Sequence, residues 1–345
     1  MQNSHEIFMK RCIELAKLGG GNVAPNPLVG SVLVYNGKII GEGFHKYFGE
    51  AHAEVNAINS VVKKELISKC TLYVSLEPCS HFGKTPPCSN LIIEKKIKNV
   101  VIGCRDIFLL VNGNGIEQLK QAGVKVVEGI LEEECRELNK IFFSFHKKKR
   151  PFVTLKWASS NDGFIGKIGI PNFKISNELS TIFVHKLRSN NMAIVVGTNT
   201  ALIDNPKLTV RKWLGKSPLR IVFDLDGKLN SNLNIFSIDE NYLIATSKTT
   251  VTKFPEKNIV RIEDKKNSLH ELLNYLYNKN INSILVEGGA KLLESFIEQN
   301  LWDEAIQIKS DKNIDEGIKS PLLSCGVCAT KKVGNDTHYF YKNVI

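Results

Sequence analysis

One histidine and two cysteines at metal-ligand spacing constrain this chain more than anything else in it. His52-Ala53-Glu54 opens an apolar-periodic segment, and Pro78-Cys79 follows a strand-like run; Cys88 comes after eight further residues. One imidazole and two thiolates give zinc three protein ligands and leave its fourth position to water, which is the arrangement of a catalytic site. Glu54 is not a ligand, yet it lies two residues from His52. It is therefore the candidate general acid/base, carrying a proton from water to a departing ammonia. His-x-Glu with Pro-Cys-x-x-Cys marks zinc-dependent hydrolytic deaminases, and here the two cysteines stand farther apart than in that pattern. Cys12, Cys70, Cys104 and Cys135 lack such company and are expected in the core. Cys325 and Cys328 have no second pair and are read as incidental.

The segments around these residues alternate. A helix is expected from Glu6 to Leu18, then two strands, Gly30 to Val34 and Lys38 to Gly43, about the Asn36-Gly37 turn. A helix from Ala51 to Ser68, a strand from Thr71 to Leu76, a helix from Ser89 to Ile97 and a strand from Asn99 to Gly103 follow. A helix from Gly115 to Ala122 and a strand from Val124 to Glu128 complete the set. This order predicts a three-layer α/β/α domain over residues 1–145 with a partly parallel sheet. The basic run His146 to Arg150, followed by Pro151, reads as a solvated linker. Beyond it, strands at Phe152 to Ala158, Ala193 to Gly197, Leu219 to Asp224, Tyr242 to Thr246 and Ser283 to Val286 recur. With helices at Glu178 to Arg188, Leu269 to Tyr277 and Ala290 to Gln299, they predict a second α/β domain over 151–345.

Composition narrows the partners. A net charge of +11 is spread along the chain and is not interleaved with aromatics, so small anions such as phosphates are favoured over nucleic acid. No apolar run reaches the length of a membrane span, and Met1 to Lys10 lacks the order of a secretory signal. A cytoplasmic enzyme with reduced cysteines is expected, and a homo-oligomer is compatible with this.

The segment Ser80-His81-Phe82-Gly83-Lys84-Thr85-Pro86-Pro87 between the cysteines is more specific. Together with Pro25-Asn26-Pro27-Leu28-Val29-Gly30 and His52-Ala53-Glu54-Val55-Asn56-Ala57, it resembles the bifunctional riboflavin-biosynthesis deaminase-reductase family over nearly the whole chain. The resemblance implies a cytidine-deaminase-like domain followed by a dihydrofolate-reductase-like domain, with Zn2+ and NADPH as cofactors. It also implies phosphorylated pyrimidine substrates. By the same resemblance Asn26, His45, His81, Lys84 and Thr85 face the deaminase substrate. After Asp106 this chain reads Ile107-Phe108-Leu109 where the family often has Pro-Asn-Pro.

In the second half, Lys156, Asp162-Gly163, Gly197-Thr198-Asn199-Thr200 and Asp204-Asn205-Pro206 lead to Leu208-Thr209-Val210-Arg211. Glu287-Gly288-Gly289-Ala290 adds a strand-to-helix turn whose N–H groups could meet a phosphate. The resemblance places Ala158, Thr200, Asp204, Gly288 and Gly289 against the dinucleotide. It places Asn172, Arg188, Leu208, Arg211 and Glu287 against the reductase substrate, the two arginines as phosphate clamps. Asn172 stands in a segment, Asn172-Phe173-Lys174-Ile175-Ser176, that departs from the commoner family version. Two other readings stay open at this point: a deaminase for a related pyrimidine or pterin with a repurposed C-terminal domain, and a nucleic-acid-editing deaminase.

Overall fold

The computed structural model describes residues 2–80, 86–107, 113–248 and 253–343. They form two compact units, residues 1–148 and 149–345. In the first, α1 (Gln2–Lys17) precedes the hairpin of β1 (Gly30–Tyr35) and β2 (Lys38–Phe44). Then come α2 (Ala53–Ser60), β3 (Thr71–Leu76), α3 (Cys88–Glu94), β4 (Asn99–Cys104), α4 (Asn114–Gln121) and β5 (Lys125–Val127), followed by α5 (Glu132–Leu138) and α6 (Lys140–Lys148). The sheet runs β2-β1-β3-β4-β5, antiparallel through the hairpin to β3 and parallel from β3 to β5.

Alternation along the strands makes two cores. Leu33, Leu72, Val74, Val100 and Ile102 face α2, α3 and α4, whereas Val32, Val34, Tyr73 and Val101 face α1 and α5. Glycine sets how closely α2 approaches: a Cβ on Gly43 would stand 2.2 Å from the Ala57 nitrogen and 2.6 Å from the Ala53 carbonyl. The helix that opens on the His-x-Glu motif is thereby pressed onto the sheet.

Two expectations are corrected here. The long helix over residues 51–68 is two pieces: α2 stops at Ser60, Val61 is extended, and a 3-10 turn occupies Lys64–Lys69. The β-branched pair Val61-Val62 disfavours helix, and the Ser60 hydroxyl donates back to the Ala57 carbonyl while accepting the Glu42 N–H. The basic run is only in part a solvated linker: Lys147 to Lys149 are exposed and the division between the units falls among them, but its two ends are structured. His146, Lys147 and Lys148 finish α6, which buries Phe142 and Phe145, and Arg150 donates to both carboxylate oxygens of Asp303 at 2.6 and 3.0 Å. That pair is almost dry, and Asp303 also takes the Val153 N–H at 2.8 Å, so Arg150 anchors the first strand of the second unit.

The second unit contains β6 (Phe152–Ser159), β7 (Phe164–Gly166), α7 (Glu178–Ser189), β8 (Ala193–Gly197), α8 (Thr198–Asp204), β9 (Leu219–Phe223) and α9 (Asn234–Ser237). It continues with β10 (Tyr242–Thr246), β11 (Ile259–Arg261), α10 (Ser268–Asn278), β12 (Ser283–Glu287), α11 (Ala290–Glu298) and β13 (Glu304–Lys309). Last come β14 (Ile318–Lys319), β15 (Ala329–Val333) and β16 (Asp336–Lys342). Among the described residues its main sheet runs β11-β10-β9-β8-β12-β6-β13-β16-β15, parallel except where β16 pairs with β13 and β15. Val153, Leu155 and Trp157 face α10 and α11, so Lys156 and Ala158 point to the opposite side, where α7 packs.

Candidate active sites

In the first unit the end of β3 and the starts of α2 and α3 converge. His52 is extended and immediately precedes α2; Cys79 follows Pro78 just past β3; Cys88 is the first residue of α3. His52 Nδ1 lies 3.6 Å from Cys79 Sγ and 3.4 Å from Cys88 Sγ, and the three ligand atoms lie within 4.8 Å of one another. One imidazole and two thiols converging through these atoms is a donor set that suits Zn2+. The Cys88 N–H donates to Cys79 Sγ at 3.3 Å, which stabilises a thiolate there. The Cys79 thiol is drawn down to about 4, first by the adjoining Cys88 thiol and then by His52, against the opposing effect of burial. Glu54 is buried beside this cluster, and burial raises its carboxyl above the ordinary range, partly countered by His52.

Two sequence-predicted substrate residues reach the same place. His45 sits edge-on to His52, with ring centroids 5.4 Å apart. Its Nδ1–H donates to the Ala51 carbonyl at 3.2 Å, leaving Nε2 to accept from the Asn26 amide at 3.2 Å. Burial lowers the His45 imidazole, so a neutral ring is favoured. Asn26 and His45 are thus one hydrogen-bonded unit, whereas His81, Lys84 and Thr85 lie outside the described residues.

Sequence reasoning missed Glu77. Its buried carboxylate accepts four backbone N–H groups: Gly115 and Ile116 on Oε1, Asp106 and Gly113 on Oε2, at 3.1 to 3.3 Å. A negative charge at the start of α4 is favourable, and here it ties that helix to the residue before Pro78-Cys79. Gly115 permits the approach, since a Cβ there would stand 2.0 Å from the Pro78 carbonyl. A charged residue ending an apolar strand one position before Pro-Cys was the available signal.

The second unit gathers Lys156, Arg188 and Glu287. Glu287 ends β12, at the carboxyl end of a parallel strand where open α/β sheets place their ligands, and its register partner on β6 is Lys156. Arg188 grips Glu287 through Nε and Nη2, both at 2.9 Å, and Lys156 Nζ stands 3.7 Å from the same carboxylate. Burial alone would raise the Glu287 carboxyl, but Arg188 and Lys156 outweigh it and bring it down to about 2. Burial lowers the Lys156 ammonium, with Glu287 acting against that.

Three expectations change. Arg188 is committed to Glu287, with Nη1 donating to the Thr209 carbonyl at 3.3 Å, so it is no open phosphate clamp. The Leu208 side chain is buried in the core with Ile194 and Val222, on a left-handed backbone of φ 56°, so it offers no open side-chain contact. The Gly289 N–H, expected to meet a phosphate, donates to Thr200 Oγ1 at 2.8 Å. That bond brings Thr200, Gly288 and Gly289 together. Gly288, at φ 123°, leaves a side-chain-free cradle in which a Cβ would stand 3.0 Å from Thr200. Asn172 and Asp204, assigned to substrate and cofactor respectively, touch each other, the Asn172 N–H donating to Asp204 at 2.9 Å. Arg211 is exposed, and its guanidinium reaches Thr209 Oγ1 at 2.7 Å.

Comparison with known proteins matches each unit to a family. Residues 2–104 match the family described as cytidine and deoxycytidylate deaminase zinc-binding region, and residues 151–308 match the RibD C-terminal domain. The riboflavin biosynthesis protein RibD of Aquifex aeolicus is 38% identical over 315 residues, covering 90% of this chain and 88% of that protein. The chain belongs to the RibD family. RibD of Actinobacillus pleuropneumoniae is 42% identical over 303 residues, 85% of this chain and 80% of that one. The crystal structure of the Thermotoga maritima diaminohydroxyphosphoribosylaminopyrimidine deaminase/5-amino-6-(5-phosphoribosylamino)uracil reductase superposes with a TM-score of 0.90. It is 38% identical and the match covers 99% of both chains. As a RibD family member, this chain is a bifunctional riboflavin-biosynthesis enzyme with a cytidine-deaminase-type zinc-binding domain and a RibD-type reductase domain, using Zn2+ and NADPH. These findings give no support to the repurposed-domain and nucleic-acid-editing readings. No helix among the described residues is long and apolar enough to cross a membrane.

Proposed function

We propose that the first unit deaminates 2,5-diamino-6-(5-phosphoribosylamino)pyrimidin-4-one and that the second reduces the ribosyl side chain of the product to ribityl. The convergence of His52, Cys79 and Cys88 on one point beside buried Glu54 carries the deaminase half of this reading. Those three residues would hold zinc, which supplies the Lewis acidity that activates water near neutral pH. Glu54 takes the proton from that water and delivers it to the departing amine, so that ammonia leaves neutral. Its burial favours the protonated form, which suits the second half of the transfer. The Asn26-His45 pair binds the polar edge of the pyrimidine, for an amide offers both a donor and an acceptor.

In the second unit the Gly288-Gly289 turn, with Thr200, Ala158 and Asp204, would take NADPH, which supplies the hydride. As hydride reaches C1′ the bond from C1′ to the ring oxygen breaks, and that oxygen needs a proton. Lys156 holds that proton in our reading, with Glu287 fixing the ammonium and Arg188 fixing Glu287. Two cations face one carboxylate, so the pocket keeps a positive surplus toward an anionic substrate. Arg211 supplies the phosphate contact that Arg188 is too engaged to give. Arg211→Ala is expected to raise the reductase KM about tenfold, the loss of one charge-assisted hydrogen bond, while deamination continues at its normal rate. Steady-state kinetics of the two half-reactions measure this, and an unchanged reductase KM rejects the contact.

A further inference from the structure

Helix α7 carries a buried histidine that neither half-reaction has used. His185 is 3% exposed and lies one helical turn before Arg188, on the same face. Its Nδ1 accepts the backbone N–H of Arg211 at 3.1 Å. Two residues upstream, the Thr209 carbonyl accepts from Arg188 Nη1, and the Thr209 hydroxyl accepts from the Arg211 guanidinium. The strap Thr209–Arg211 is therefore fastened to α7 at both ends, by Arg188 at one and by His185 at the other. Its backbone is constrained at the entry too, since Leu208 is left-handed and locked in the core.

We propose that His185 is a positioning residue of the reductase, holding the Arg211 backbone so that the guanidinium meets the substrate phosphate. This rests on the reading of Arg211 as the phosphate contact. An Nδ1 that accepts an N–H carries no proton, so the ring is neutral with its hydrogen on Nε2. Burial, followed by the nearby Arg188 and Arg211 charges, holds the imidazole down to about 4, which keeps that acceptor available at neutral pH. Without it, the Arg211 N–H loses its partner, and a guanidinium on a loosened strap must be ordered again at each binding event.

The test uses full-length protein carrying Arg211→Ala, His185→Leu or His185→Asn, assayed for reduction of the deaminated substrate and of its dephosphorylated counterpart at saturating NADPH. His185→Leu is expected to raise KM for the phosphorylated substrate about tenfold with kcat within about twofold, and to leave kcat/KM for the dephosphorylated one unchanged. His185→Asn places Oδ1 where Nδ1 was and should bring KM back to within about threefold of the wild type. If Arg211→Ala raises KM but His185→Leu does not, the positioning role is overturned and the Arg211 contact stands. If neither moves KM, the Arg211 reading falls and takes the inference with it. If His185→Leu depresses reduction of both substrates equally and His185→Asn fails to restore it, His185 serves packing alone and the proposal is overturned.

Discussion

Glu54→Gln should retain zinc and release ammonia at least about a thousandfold more slowly than the wild type, the scale expected when a positioned acid/base is removed. Glutamine has the same shape and keeps a hydrogen-bonding carbonyl, so the neighbouring ligands His52, Cys79 and Cys88 keep their places. What it lacks is a site that accepts and returns a proton. Metal analysis alongside an ammonia assay checks both halves. Full activity in a zinc-loaded variant would remove Glu54 from the mechanism, and loss of zinc would make it a structural support of the ligands.

Glu287→Gln should damage the second unit in two separable ways. Lys156 and Arg188 are both nearly dry, and removing the carboxylate between them leaves two buried cations without a counter-charge. Breaking a buried pair in this way costs roughly 3–5 kcal/mol of stability. Reductase activity should fall more than about a hundredfold, a few kcal/mol of lost transition-state stabilisation. The double variant Arg188→Met/Glu287→Gln removes one charge of each sign and should recover most of the stability but not the activity. Thermal unfolding and NADPH oxidation, measured on the same samples, distinguish the two effects. The acid side follows from the same geometry. Glu287 titrates at about 2 in the fold against 4.5 ordinarily, so its contribution to stability is complete above the ordinary value. That contribution is lost as pH falls through about 2, and the Glu287→Gln variant should lack this part of the acid transition.

How much could be read from the chain follows from how local each feature is. The cluster of His52, Cys79 and Cys88 was legible because His-x-Glu marks a helix start and Pro-Cys a strand end, both visible within a few residues. The cysteines at 12, 70, 104 and 135, which lack the company of further ligand residues, are buried as expected. Glu77 escaped because its partners are backbone N–H groups 29 to 39 residues away, which no side-chain pattern records. The Arg188–Glu287 pair joins residues 99 apart, so each was seen, but as a separate substrate contact. Strand β15 was missed because it lies at the sheet edge and is largely exposed, and β16 because its buried positions Asp336 and His338 are polar, so neither shows the apolar alternation that betrays a strand. Arg150 looked like part of a charged linker until Asp303, 153 residues on, supplied its partner.

The central claim is that one chain performs both half-reactions in order, the first at Glu54 and the second at the Lys156-Arg188-Glu287 cluster. The most direct measurement follows ammonia and NADPH in one reaction, with zinc-loaded wild type and Glu54→Gln each given the phosphorylated diaminopyrimidine and, separately, its deaminated form. The wild type should release one ammonia for each NADPH oxidised from the diamino substrate, whereas Glu54→Gln should do neither with it yet oxidise NADPH at the normal rate with the deaminated form. NADPH oxidation by Glu54→Gln on the diamino substrate, or none by folded wild type on the deaminated one, would contradict the account.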